Sequence, residues 1–249
     1  MFKTVYILWL RQIKKYFRSP SRIIGSLAQP LLFLVALGYG FGSVFQSAGQ
    51  GNYLEFLVPG IVAMSILFTA LFSGVEIIWD RQFGFLKETL VAPVSRIEIM
   101  IGRSLGGATV AVLQGIIVLV ISLFFGFNIV NYSLLILALL FMFLIALLFT
   151  ALGTAIASLL EDMQGFQLIM NFLVMPIFFL SGALFPLQGL PKIIDIITKI
   201  NPLSYGVDGL RGALSGVTQI GLTIDLMVLI VVIVALNTIG AYLFSKIQV

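Results

Sequence analysis

The 249-residue chain contains no cysteine and no histidine. The first absence removes disulfides and thiolate nucleophiles. The second removes the commonest general base and the commonest zinc ligand. Charge is scarce as well: Asp, Glu, Lys and Arg make up 10% of the residues, against roughly 25% in a soluble domain. So little charge cannot cover a water-exposed surface. The net charge of +4 is small, its distribution matters more than its size, and no nucleic-acid partner is expected. No Gly-Lys pair occurs anywhere, so the G-x-x-x-x-G-K-[ST] loop that cradles nucleotide phosphates is missing. Gly38-Tyr39-Gly40-Phe41-Gly42 is glycine-rich but lies inside a hydrophobic run with no preceding strand. Glu161 and Asp162 are adjacent, about 100° apart on a helix, and read as a solvated turn rather than a catalytic pair. The chain is therefore expected not to be an enzyme and to bind no metal or cofactor of its own.

What is present is apolar sequence: 60% hydrophobic residues and a mean hydropathy of +1.16. The matching solvent is a bilayer. A crossing helix needs about 20 apolar residues, and six stretches qualify: Ile23–Phe45, Leu54–Trp79, Ile99–Phe127, Tyr132–Leu160, Phe166–Phe185 and Leu222–Phe244. The expected fold is all-α, a single polytopic membrane domain over 1–249 with six transmembrane helices. Residues 1–22 read as an amphipathic interfacial helix. At 100° per residue, Lys3, Arg11, Lys14, Lys15 and Arg18 share one side, while Phe2, Val5, Tyr6, Trp9, Leu10, Ile13, Tyr16 and Phe17 share the other. Ser19-Pro20-Ser21 ends it. A secretory leader is the competing reading, but its apolar run would be too long. Residues 186–221 are too long for a turn and too broken by Gly189, Pro191, Pro202, Gly206 and Gly209 for a simple span.

Orientation follows from the basic residues. With the N-terminus inside, Lys3, Arg11, Lys14, Lys15, Arg18, Arg22, Arg81, Lys87, Arg96, Arg103 and Lys246 are cytoplasmic; only Lys192, Lys199 and Arg211 lie outside. Both termini and residues 80–98 are thus expected in the cytoplasm of a plasma-membrane protein, with 186–221 facing out. Gly38/Gly42, Gly102/Gly106 and Gly153/Ala157 place small residues one turn apart and hint at close helix contacts. Glu55, Glu76 and Asp225 lie near span ends and are expected to reach an interface or a helix dipole. No ionisable residue is expected at the bilayer centre, which argues against a secondary transporter or channel.

A transporter of this composition needs an energy source on another chain. The segment Asp80-Arg81-Gln82-Phe83-Gly84-Phe85-Leu86-Lys87-Glu88-Thr89-Leu90-Val91-Ala92-Pro93-Val94-Ser95 is a charged island between two apolar spans, with Phe83, Leu86, Leu90 and Val91 on one approximate helical face. It resembles the ER-x-x-G-x-x-E-x-L-x-x-x-P-x-S coupling segment of type-2 ABC exporter permeases. It departs from that pattern at Asp80, where Glu is usual, and at Lys87, which displaces the acid to Glu88. Asn201-Pro202-Leu203-Ser204-Tyr205-Gly206-Val207-Asp208-Gly209-Leu210-Arg211 is similar to that family's segment before the last span, and Gln29 to Gly42 to its first span. The resemblance covers essentially the whole chain.

It implies a membrane subunit that pairs as a homodimer or heterodimer of permeases and binds a separate ABC ATPase, which carries ATP and Mg. Asp80, Arg81, Phe83, Gly84, Lys87, Glu88, Leu90 and Pro93 would form the coupling site. In it Arg81, Lys87 and Glu88 would touch the ATPase, Phe83 and Leu90 would hold the helix to the bundle, and Gly84 and Pro93 would shape it. Residues 186–221 would form an extracellular re-entrant helix pair, with Asn201 capping, Pro202 starting a helix, Tyr205 in the motif, and Asp208 and Arg211 able to pair at i,i+3. The cargo implied is an amphipathic drug, lipid or lipid-linked molecule, with the drug-exporter branch favoured over the glycan-exporting one. A non-transporting membrane anchor would leave the island without a purpose.

Overall fold

The computed structural model describes residues 2–47, 52–85, 94–187, 189 and 191–245. Every regular element among them is helical. α1 (Phe2–Phe17) is followed at once by α2 (Pro20–Gly40), with Pro20 in the first turn, where its missing N–H is not needed. A short α3 (Gly42–Ser47) follows. The Asn52 side chain caps α4 (Tyr53–Phe72) by accepting from Leu54 N–H at 3.1 Å. After a one-turn break at Ser73 and Gly74, α5 (Val75–Gln82) continues along nearly the same path. Ser95 caps α6 (Arg96–Phe124), a single 3-10 turn at Tyr132–Leu134 leads into α7 (Leu135–Leu159), and Asp162 caps α8 (Met163–Phe179) through Gly165 N–H. The acidic turn at 161–162 therefore starts a helix. The remaining elements are α9 (Lys192–Ile200), α10 (Pro202–Ser215) and α11 (Leu222–Ser245).

Among the described residues, five helical stretches are long and apolar enough to cross a membrane: Pro20–Gly40, Tyr53–Gln82, Arg96–Phe124, Tyr132–Leu159 and Leu222–Phe244. The stretch expected to be the fifth span, Phe166–Phe185, differs. Its helix, α8, has 17 residues and stops at Phe179, because Leu180 turns the chain and Gly182 adopts a left-handed φ of 74°. At about 1.5 Å per residue it is roughly 25 Å long, shorter than a typical 30 Å hydrocarbon core.

α4 is the axis of the bundle, packed by α2, α6, α7 and α10, and α7 in turn contacts α6, α10 and α11. In α4–α5, 78% of the apolar window is buried, against 11% in α11 and 17% in α2. The last two helices therefore show most of their apolar surface outward, as lipid-facing or partner-facing helices do. Two pairs of glycines mark close approaches between helices. The α5 start and α7 touch backbone to backbone at Gly74 and Gly153, leaving no room for a Cβ on either. Gly102 and Gly106 form the floor on which α1 lies: a Cβ at Gly102 would sit 2.9 Å from Leu8 Cβ, and one at Gly106 would sit 2.6 Å from Gln12 Cγ. The small-residue spacing in α6 thus seats α1 rather than another span.

Candidate coupling site

α1 lies along α6 and reaches α5 through its side chains. Part of its aromatic side is spent on protein contacts. Trp9 Nε1 donates to Thr109 Oγ1 at 3.0 Å, and the buried Tyr16 hydroxyl meets Gln114 Oε1 on α6. Burial raises the Tyr16 phenol above its ordinary pKa. Tyr6, Ile7 and Phe17 remain exposed.

The basic side of α1 is not uniformly turned to water. Arg11 and Lys15 reach beneath it to two carboxylates on α5, Asp80 and Glu76, which are one turn apart and almost fully buried. Asp80 accepts from Arg11 Nη2 at 3.1 Å on one oxygen and from Arg103 Nη2 of α6 on the other. Glu76 receives Lys15 Nζ at 3.3 Å and Arg22 Nη1, from the start of α2, at 3.2 Å. Arg103 is itself buried, and among the described residues its Nε and Nη1 have no partner. Four helices, α1, α2, α5 and α6, are thus joined by alternating charge around two acids. Glu76 lies in the first turn of α5, where the helix dipole favours an acid, but it does not snorkel outward: α1 folds over it.

The next residues leave this cluster for the surface. Arg81 is held by the C-terminal end of α7, its Nη1 donating to Leu160 O at 3.1 Å and its Nη2 to Ser158 O at 3.5 Å. These carbonyls end a helix and lack intrahelical donors. Phe83 is 83% exposed, where a role in holding the segment to the bundle would have buried it. Gly84 has φ +77, and a Cβ added there would meet nothing within 4 Å. The glycine is needed for a left-handed turn, a reason that its sequence context did not give. The Phe85 ring stacks under the Arg11 guanidinium at 4.0 Å. Lys87, Glu88, Leu90 and Pro93 lie outside the described residues.

The second group of candidate residues sits at the opposite end of the bundle. Asn201 is buried between α9 and α10, accepts from Leu203 N–H at 3.0 Å and donates to Ile177 O at 2.6 Å, while Pro202 opens α10. Tyr205 donates to Lys199 O at 2.8 Å. Asp208 and Arg211 are both buried but make no ion pair with each other among the described residues. Asp208 accepts from the Gln219 and Ile220 N–H groups at 2.8–3.0 Å, which fastens the loop before α11. Arg211 donates to Gly182 O at 2.8 Å and Phe56 O at 3.3 Å and lies 3.9 Å over the Phe56 ring. Burial lowers its pKa to about 10. Asp225, in the first turn of α11, is fully buried beside Asp208 of α10.

Sequence reasoning missed the roles of Glu76, Arg22 and Arg103. The available signal was Glu76 and Asp80 four apart on one helical face, facing a segment rich in Lys and Arg. Among the described residues no group of three or more acids could hold a metal ion. The family described as ABC-2 type transporter matches residues 3–215. Transport permease ycf38 of Pyropia yezoensis is 30% identical over 266 residues, covering 99% of this chain and 89% of its own. Nodulation protein J of Rhizobium leguminosarum bv. trifolii is 30% identical over 213 residues, 85% of this chain and 78% of its own. Inner membrane transport permease YadH of Escherichia coli (strain K12) is 27% identical over 231 residues, 92% and 89%.

Proposed function

The chain belongs to the ABC-2 type transporter family, and from that premise we propose that it is the membrane-spanning half of an exporter driven by a separate ATPase. Two permease chains would pair, each holding one ATPase that carries ATP and Mg. Amphipathic cargo, a drug or a lipid-like molecule, would leave outward along the apolar bundle. On this reading both termini and the α1 end are cytoplasmic, α8 is a short span that completes the six, and α9–α10 form the re-entrant pair at the outer face.

The observation that carries the reading is the buried charge cluster directly behind an exposed apolar turn. Phe83 and Gly84 offer a docking surface, and Asp80, one turn earlier, is tied to α1 and α6. A push on the Phe83–Phe85 turn would pass through α5 into those helices as a rigid-body shift rather than being absorbed locally. Arg81, anchored to α7, would carry the same push there. Lys87 and Glu88 would add contacts to the ATPase, with Leu90 holding the segment to the bundle and Pro93 shaping it.

The test is co-expression with a candidate ATPase. The expected result is a stable complex whose ATP hydrolysis responds to the permease, with Gly84→Trp or Phe83→Ser weakening both. A complex and coupling unaffected by either substitution would remove the coupling assignment.

A further inference from the structure

At the end of the bundle opposite α1, α4, α9, α10 and the 216–221 loop border a half-open cavity of about 880 Å³. Its apolar lining includes Phe45, Phe56, Leu187 and Ile220, and its buried charge is Arg211, 4% exposed. Among the described residues no carboxylate is in contact with the guanidinium. Its hydrogen bonds run to two neutral backbone carbonyls, those of Phe56 and Gly182, and among the described residues its Nη1 has no hydrogen-bond partner. The acid whose charge it feels is Asp208, whose oxygens are already taken by the Gln219 and Ile220 amides. The other charges in the lining differ in kind. Lys199 is paired with Asp195 at 2.7 Å and is largely exposed, and Glu55 accepts from Asn52 Nδ2 at 3.4 Å.

A buried cation without an ion-pair partner, set in an apolar wall, is costly to keep unless something anionic joins it. An arginine fork recognises phosphate or carboxylate groups through paired N–H donors, and this one is already oriented by its two backbone bonds. The carboxylates of Glu55 and Asp195 in the same lining disfavour a polyanion, and the aromatic and aliphatic wall suits a hydrocarbon tail. We propose that this cavity is a binding site for an amphiphile bearing a single anionic group, phosphate or carboxylate, seated on Arg211. The site rests on the export reading for its purpose, as the last station of outward-moving cargo, but not for its chemistry.

The test uses the purified chain alone in dodecyl maltoside, so that failure to bind is separate from failure to couple to an ATPase. Native mass spectrometry follows binding of dodecyl phosphate, with inorganic phosphate as the second arm. The expected result is one dodecyl phosphate per chain, held at least tenfold more tightly than inorganic phosphate. Arg211→Gln is expected to weaken it at least tenfold and Arg211→Lys less. Equal affinity for inorganic phosphate would overturn the amphiphile assignment.

Because Arg211 also ties Phe56 and Gly182 together, a second variant keeps the test open if Arg211→Gln does not fold. Ile220→Trp adds bulk at the cavity wall without removing an Arg211 bond, and is expected to reduce binding by a similar factor. Unchanged binding in Ile220→Trp, or loss of binding in Lys14→Gln/Arg18→Gln on the α1 surface, would place the anion elsewhere and overturn the proposal.

Discussion

Removing the carboxylate of Asp80 while leaving Arg103 in place tests the charge cluster most directly. Arg103 is 5% exposed, and among the described residues its one short contact with an acid is Asp80. Its Nε and Nη1 already lack partners among those residues, so Asp80→Ala leaves a buried cation with only the more distant Glu76 to offset it. Breaking one side of a buried pair in this way typically costs about 3–5 kcal/mol. That corresponds to roughly two to three and a half orders of magnitude in the folded-to-unfolded ratio, at about 1.4 kcal/mol per decade. Arg11 also contacts Asp80, but its side chain is 37% exposed. Arg11→Gln should therefore cost about 1 kcal/mol or less, as half-exposed pairs do.

The double variant Asp80→Leu/Arg103→Met removes both charges and fills the space, and should recover most of the loss, since uncharged isosteres of buried pairs are often neutral. Denaturation of the reconstituted protein in mixed micelles, followed by far-UV circular dichroism, gives the three stabilities on one scale. If Asp80→Ala falls within about 1 kcal/mol of the parent, or is no less stable than the double variant, Asp80 is not what compensates Arg103. The route from α5 to α6 then fails with it.

Other substitutions probe the remaining supports. Gly106→Val should lift α1 off α6, because its Cβ would meet Gln12 Cγ and Cβ; overpacking of about 1–3 kcal/mol should appear as faster hydrogen exchange in residues 2–17. Gly84→Ala meets no neighbour but forces a left-handed residue to carry a side chain, so a loss of about 1–2 kcal/mol is expected by denaturation, with Gly84→Asn costing less. Phe83→Ser should leave stability within about 0.5 kcal/mol, because the ring is already 83% exposed, while pull-down of the ATPase is reduced. Asn201→Ala removes a cap and the bond to Ile177 O, and should cost at least the roughly 1 kcal/mol of a lost cap, measured by thermal unfolding.

The helical membrane character could be read from the sequence because it depends on composition and run length, which need no partner contacts. Asn201 and Pro202 could be read for the same reason: a cap and its first-turn proline act within a few residues of each other. The limits appear wherever the decisive neighbour is far along the chain. Arg11 and Lys15 read as part of an interfacial basic face because nothing in residues 1–22 shows that α1 packs over Glu76 and Asp80, more than 60 residues later. Asp225 does sit in the first turn of α11, as its place in the sequence suggested, but its burial beside Asp208 depends on a neighbour that the local sequence does not show. Phe83, counted as part of a buried face, is exposed because α5 ends at Gln82 and Gly84 turns the chain left-handed, so the periodicity that assigned its face had already stopped. The same turn changes what a coupling segment can be in this chain. Its anchor into the bundle is not Phe83 but the acid one turn before it. On the proposed coupling reading, the partner-facing surface and the internal lever would be separated by a single helical turn, so a substitution at Asp80 and one at Phe83 should affect stability and partner binding in opposite proportion.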